Sequence, residues 1–125
     1  MRIGINGMGR MGRLVLRAAL GGVRRAPDDP QRDARLDIVH VNELKGGSAV
    51  AAHLLEFDSI HGRWHNSFQI DDERGFRVGG RYIGFSEGAM PQDVPWGDLG
   101  CELVLECTGK FLKPEQLEGY FRRGV

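Results

Sequence analysis

Arg2-Ile3-Gly4-Ile5-Asn6-Gly7-Met8-Gly9-Arg10-Met11-Gly12-Arg13 runs from a short apolar segment through a G-x-G-x-x-G turn into an amphipathic one. The spacing alone carries little in a chain with 19 glycines among 125 residues, so its flanks decide the reading. Arg2-Ile3-Gly4-Ile5-Asn6 has the length and apolarity of a buried parallel strand. Met11, Leu14, Val15, Ala18 and Ala19 recur at the spacing of one helix face. Strand, glycine turn and helix in that order form the first turn of a dinucleotide-binding βαβ unit. Gly7 then permits the tight turn, Gly9 lets backbone approach a pyrophosphate, and Gly12 lets the helix pack closely on the sheet. Arg10 and Arg13 sit near the helix N-terminus, where the macrodipole disfavours cations unless an anion is bound. The competing reading makes them solvated surface arginines.

The bulk properties narrow the field. The length suits one domain with a real core and is too short for a two-domain dehydrogenase. Seventeen basic and seventeen acidic side chains give a formal net charge of 0, so nothing steers the chain toward nucleic acid or an anionic membrane. No apolar run approaches the roughly 20 residues of a membrane span, and the N-terminus reads as a strand, so a cytoplasmic location is expected. Cys101 and Cys107, with five residues between them, match neither a C-x-x-C redox pair nor a zinc spacing and are expected as free thiols.

Along the chain, Gly21-Gly22 ends the first helix with a residue suited to a left-handed cap. Residues 23–35, with Pro27, Pro30 and mixed charges, form an exposed connection. Leu36-Asp37-Ile38-Val39-His40-Val41 predicts a second buried strand, ending at Asn42-Glu43. An acidic residue about 20 positions after the last glycine would bind the adenosine ribose hydroxyls. Glu43 comes 31 residues after Gly12, and the polar connection is long enough to absorb the surplus. A carboxylate there disfavours a 2′-phosphate and so favours NAD over NADP, although Lys45 could pair such a phosphate. A plain exposed loop acid is the competing account of Glu43.

Gly46-Gly47-Ser48 can start a short helix through Ala49, Ala52, His53 and Leu55, with Ser48 as its cap. His61 and His65 are four apart, but Gly62 and polar neighbours argue for a structural or interface loop rather than a metal site. Phe76-Arg77-Val78 and Tyr82-Ile83-Gly84-Phe85, joined at Gly79-Gly80, read as a hairpin inserted in or edging a parallel sheet. Trp96 is expected to pack on the domain. Leu103-Val104-Leu105-Glu106-Cys107 predicts another buried strand, with Thr108-Gly109 at its carboxyl end, where doubly wound sheets bind ligands. Simple turn chemistry is the alternative for that pair. Pro114 opens a last helix, with Leu117, Tyr120 and Phe121 as its buried stripe and Gly124 just beyond. The fold class is therefore α/β, a Rossmann-type, doubly wound, mostly parallel sheet with an antiparallel hairpin insertion. Residues 1–125 end where the alternation calls for a strand, which predicts a domain truncated before its last strands.

The same residues carry a more specific signal. Ile3 to Arg13, then Asn42-Glu43-Leu44, His53-Leu54-Leu55-Glu56-Phe57-Asp58-Ser59-Ile60-His61-Gly62-Arg63, Pro95-Trp96-Gly97 and Glu106-Cys107-Thr108-Gly109-Lys110-Phe111 recur in order. With them the chain resembles the N-terminal part of the glyceraldehyde-3-phosphate dehydrogenase family. The block from Asp58 to Gly62 is the distinctive one, since generic Rossmann proteins lack it. The resemblance implies that Asn6, Gly7, Met8, Gly9, Arg10 and Met11, with Gly12 closing the turn, line the pyrophosphate and adenosine of NAD. It implies that Glu43 holds the adenine ribose and that Thr108 and Gly109 flank the nicotinamide. It further implies glycolytic oxidation of glyceraldehyde 3-phosphate by a full-length homotetramer: cysteine attack on the aldehyde, hydride transfer to NAD and phosphorolysis of the thioester.

The chain departs from the family pattern at Met8, Glu43 and Cys107, where Phe, Asp and Ser are usual, and in its long connection at 23–35. The family's Glu-Arg-Asp-Pro segment near the adenine has no recognisable counterpart around Glu87-Gly88-Ala89-Met90-Pro91. Residues 42–45 and 57–64 look similar to the branch associated with organoarsenical efflux, where arsenate replaces phosphate. The nucleophilic cysteine's Ser-Cys-Thr-Thr-Asn box does not occur in these 125 residues, so no catalytic residue is assigned and the chain alone is expected to be inactive. Cys107, in an apolar strand without a nearby histidine, is a poor candidate. A non-catalytic nucleotide-binding or interaction module is the alternative of another class, and a Rossmann protein using S-adenosylmethionine a weaker third.

Overall fold

The computed structural model describes residues 1–21, 36–47, 50, 51, 53, 57, 58, 62, 63, 68–72, 74–78 and 80–125. Strand β1 (Arg2–Asn6) leads through the glycine turn into helix α1 (Arg10–Gly21), and β2 (Asp37–Asn42) follows. Two short strands, β3 (Phe57–Asp58) and β4 (Gly62–Arg63), pair antiparallel with each other. Then come β5 (Phe68–Asp72), β6 (Gly75–Val78), β7 (Arg81–Ser86), a 3-10 turn at Pro91–Asp93, β8 (Leu103–Glu106) and helix α2 (Pro114–Arg122). No helix among the described residues is long and apolar enough to cross a membrane.

The main sheet has the order β5-β6-β7-β2-β1-β8. The pairs β7·β2, β2·β1 and β1·β8 are parallel, whereas β5·β6 and β6·β7 are antiparallel. Its parallel part has the 3-2-1-4 order of a Rossmann half. The glycine-linked hairpin is present as β6 and β7, with Gly80 at φ 81° in the turn. It is an edge rather than an interruption, because β7 also pairs with β2, and β5, not foreseen in the sequence, extends it outward.

Helices cover opposite faces. On the α1 side, Leu16 packs with Ile3, Ile5, Ile38, Val41, Ile83 and Phe85. On the α2 side, Tyr120 packs with Trp96, Val94 and Cys101. Gly4 in β1 makes room for Trp96, since a Cβ there would lie 2.8 Å from the indole ring.

Both helices are rotated from the faces their apolar spacing predicts. In α1 the buried positions are Gly12 and Leu16, flanked by Val15, Ala19 and Leu20, while Met11 is 63% exposed and Ala18 is exposed. The cause is Gly12, on which a Cβ would come within 1.9 Å of the Gly7 carbonyl oxygen. That contact fixes which side of the helix meets the turn. In α2 Tyr120 is buried and Leu117 half-buried, but Phe121 is 68% exposed. There Gly119 lies against Gln92 and Pro91 of the 3-10 turn, and this turns Phe121 outward.

Helix α2 begins as expected, with Pro114 in its first turn. Gln116 Oε1 accepts from the amides of Leu112 and Lys113 at 3.1 and 3.0 Å. It ends at Arg122, with Gly124 just beyond at φ 87°. Strand β8 is only half-buried, and Leu103 is 40% exposed, because β1 is its one partner among the described residues. Gly47, Val50, Ala51 and His53 are helical, while Ser48, the cap candidate, and His61 and His65 lie outside the described residues. So do residues 23–35 of the exposed connection.

Candidate functional site

Four adjacent strands end in a polar residue at one level. Ser86, Asn42, Asn6 and Glu106 close β7, β2, β1 and β8, and the register pairs Asn42 with Ser86, Asn6 with Asn42, and Asn6 with Glu106. Parallel neighbours in register point to the same face, so the four side chains form a row along the carboxyl edge of the sheet. Each member of the row is hydrogen-bonded to a neighbour in the row, and the row as a whole also to Gly88, Tyr120 and Thr108. The Asn42 amide donates to Asn6 Oδ1 at 2.8 Å and to the Gly88 carbonyl at 2.9 Å, and its Oδ1 accepts from Ser86 Oγ at 2.7 Å and the Gly88 amide at 2.8 Å. The Asn6 amide donates to Tyr120 Oη at 2.6 Å and to Glu106 Oε2 at 3.2 Å. Glu106 Oε1 accepts from the Thr108 amide at 2.7 Å and from the Thr108 hydroxyl.

Above this row opens a cleft. It is lined by the glycine turn with Asn6, Gly7 and Gly9, and by Asn42, Glu43 and Leu44 at the end of β2. Gly88 and Ala89 after β7, and Cys107, Thr108, Lys110 and Phe111 after β8, complete the lining. Gly7 adopts φ 100°, and its amide donates to the Asn42 carbonyl at 2.8 Å. A Cβ there would meet the Cys107–Thr108 peptide at 2.8 Å. Gly9 is the opposite case, since nothing lies within 4 Å of where its Cβ would be. Gly12 is spent on the turn itself, as described for α1.

Glu43 reaches back to the turn. Its Oε2 accepts from the Met8 amide at 2.7 Å and its Oε1 from the Leu44 amide at 3.0 Å. A carboxylate has about four acceptor positions, so two remain for hydroxyl donors. Of the residues singled out in the sequence, Asn6, Gly7, Gly9, Glu43 and Thr108 line the cleft together. Met8 is buried in the α1-side core, Arg10 and Met11 are exposed at the start of α1, and Gly109 stands just beyond Thr108 at φ 71°. Asn42, Gly88, Ala89, Lys110 and Phe111 were not assigned from sequence; Asn42 adjoins Glu43, and Lys110 and Phe111 follow Gly109, whereas Gly88 and Ala89 lie in a stretch where no binding signal was recognised.

The electrostatics exclude one role. Burial, and then the Glu106 carboxylate, raise the Cys107 thiol above its ordinary pKa, so it is held protonated rather than activated as a nucleophile. Burial pushes Cys101 up to about 11. Both cysteines are free. Among the described residues no group of three or more His, Cys, Asp or Glu is placed to hold a metal ion.

Residues 1–114 match the family model for glyceraldehyde 3-phosphate dehydrogenase, NAD binding domain. Glyceraldehyde-3-phosphate dehydrogenase 3 of Nostoc sp. is 52% identical over 125 residues, covering all of this chain and 34% of that protein. The chromosomal glyceraldehyde-3-phosphate dehydrogenase of Cupriavidus necator is 38% identical over the same 125 residues. That of Clostridium acetobutylicum is 39% identical over 124 residues, 99% of this chain and 33% of that protein. The chain thus spans about a third of the length of the curated relatives it matches.

Proposed function

The chain belongs to the glyceraldehyde-3-phosphate dehydrogenase family, and from that premise we propose that its cleft binds NAD for the oxidation of glyceraldehyde 3-phosphate by a full-length enzyme. The observation that carries the reading is the meeting of three features at one sheet edge. The open face of Gly9, the Glu43 carboxylate and the Thr108 turn, set on the ends of β1, β2 and β8, border the same cleft.

The residues present fit a dinucleotide. Gly9 offers space where any side chain would intrude, and the start of α1 presents backbone amides and a positive dipole end toward a pyrophosphate. Glu43 keeps two acceptor positions for ribose hydroxyls while its other two hold the turn. A 2′-phosphate would meet that carboxylate, so NAD is preferred over NADP. Thr108 and Gly109 stand at the nicotinamide side, with Thr108 held by Glu106. NAD, when bound, supplies a hydride acceptor. Asn6, Gly7, Met8, Gly9, Arg10, Met11 and Gly12 form the phosphate-binding turn or support it.

The cysteine chemistry falls to other parts of the full-length enzyme, since neither Cys101 nor Cys107 is activated. A homotetramer, a cytoplasmic location, and phosphate or arsenate as the acyl acceptor go with this proposal. Titration calorimetry tests it. NAD should bind more tightly than NADP, and Glu43→Gln should shrink that preference. Equal affinities in the unsubstituted chain would contradict the role given to Glu43, and the absence of any binding would remove the proposal.

A further inference from the structure

Tyr120 stands at the junction of the polar row. Its hydroxyl donates to Glu106 Oε2 and accepts from the Asn6 amide at 2.6 Å. Beyond Glu106 lies Thr108, bound through both its amide and its hydroxyl. Beyond Asn6 lies Asn42, whose side chain clasps Gly88 by its amide and its carbonyl. Gly88 follows β7 and Thr108 follows β8, the outer two of the four aligned strands, so they border the cleft from opposite sides. The phenol is buried in the α2-side core beside Trp96, with ring centroids 5.8 Å apart. Burial first, and the bond to Glu106 next, hold it well above its ordinary pKa, so it remains a donor at all ordinary pH values.

We propose that Tyr120 is a positioning residue that ties the two sides of the cleft together, holding the Thr108 turn through Glu106 and the Gly88 turn through Asn6 and Asn42. Its bearing on NAD affinity rests on the function proposed above, but its hold on the two turns does not. The Glu106 carboxylate already serves Thr108 with one oxygen, and the other is shared between Tyr120 and Asn6. Without the phenol oxygen, Asn6 loses its shorter amide contact, and both asparagines are free to shift along the row.

Tyr120→Phe keeps the ring against Trp96 and removes only the oxygen. Amide hydrogen exchange measured by NMR on the ligand-free 125-residue chain reads both sides at once. The Thr108 and Gly88 amides should exchange about tenfold faster, the scale of one lost hydrogen bond. The Glu102 amide, bonded to the Arg2 carbonyl at 2.9 Å away from the row, should change by less than about twofold. Equal acceleration at all three sites, or acceleration at Thr108 alone, would overturn the proposal.

Glu106→Gln is the second variant, should the first fail to fold. The glutamine leaves one acceptor oxygen where Tyr120 and Thr108 need two, so one of the two turns loses its hold: faster exchange at Gly88 or at Thr108 is expected, and both unchanged is contrary. NAD affinity of Tyr120→Phe should drop about tenfold. An unchanged affinity would remove the link to the cofactor. If the unsubstituted chain bound no NAD, the proposed function would fail, while the exchange pattern would still decide the role of Tyr120.

Discussion

Asn6 and Asn42 are register partners at the ends of β1 and β2, and the Asn42 amide donates to Asn6 Oδ1 across the strand boundary at 2.8 Å. Both are buried among apolar strands, and both are satisfied by protein groups. Asn42 uses both amide hydrogens and both carbonyl lone pairs, which is its whole capacity. Asn42→Ala should therefore cost about 3 kcal/mol, since it strands the Gly88 amide and the Asn6 carbonyl oxygen without partners. Urea denaturation measures this. A loss below about 1 kcal/mol would mean that water replaces the lost bonds.

The glycines of the turn should separate binding from folding. Gly9→Val adds a side chain in open space, so the melting transition should stay within a few degrees while NAD binding is lost. Gly12→Ala pushes a methyl to within 1.9 Å of a carbonyl oxygen and should unfold the turn or cost at least about 3 kcal/mol. Paired thermal melts and calorimetry decide between these outcomes. A folded Gly9→Val chain with unchanged NAD affinity would sink the reading of the turn.

Gly4 is fixed by Trp96. Gly4→Ala would bring a methyl within 2.8 Å of the indole ring and 3.0 Å of Cys101 Sγ, and the buried ring has no room to retreat. Overpacking of this kind costs about 1–3 kcal/mol. The indole fluorescence spectrum should shift along with the lower melting temperature. A stabilised Gly4→Ala variant would show that the α2-side core is looser than its geometry implies.

His40 should make stability depend on pH. Burial lowers its pKa from 6.5 to about 4, and it is neutral beside Ser86 and edge-on to Trp96. The unfolded chain takes up this proton near pH 6.5, but the folded chain resists it until about pH 4. The His40 contribution is thus fully present above pH 6.5 and is lost as the pH falls toward 4, by roughly 3 kcal/mol in all. Denaturant midpoints at pH 7 and pH 5 should differ accordingly, and His40→Gln should flatten that interval. The same slope in His40→Gln would assign the effect to other groups.

Much of the architecture was legible because it rests on local chemistry. The apolar runs of β1, β2 and β8, the glycine-linked hairpin and the proline at the start of α2 all act within a few residues of themselves. The positive φ of Gly7 and the open space at Gly9 were legible for the same reason, since both are backbone properties. The position of Glu43 at a strand end followed from the length of its apolar run, in spite of the long connection before it.

What only the tertiary structure decided depends on contacts between distant segments. Periodicity marks a helix but leaves its rotation open within about one residue. Contact of Gly12 with the Gly7 carbonyl, and of Gly119 with Pro91 and Gln92, set the rotations that expose Met11 and Phe121. The half-exposure of β8 follows from its place beside β1, which apolarity alone does not reveal. Register is the strongest case. Ser86, Asn42, Asn6 and Glu106 look like unrelated polar strand ends until four strands align them, and only then does Tyr120, from the far end of the chain, find two of them within hydrogen-bonding reach.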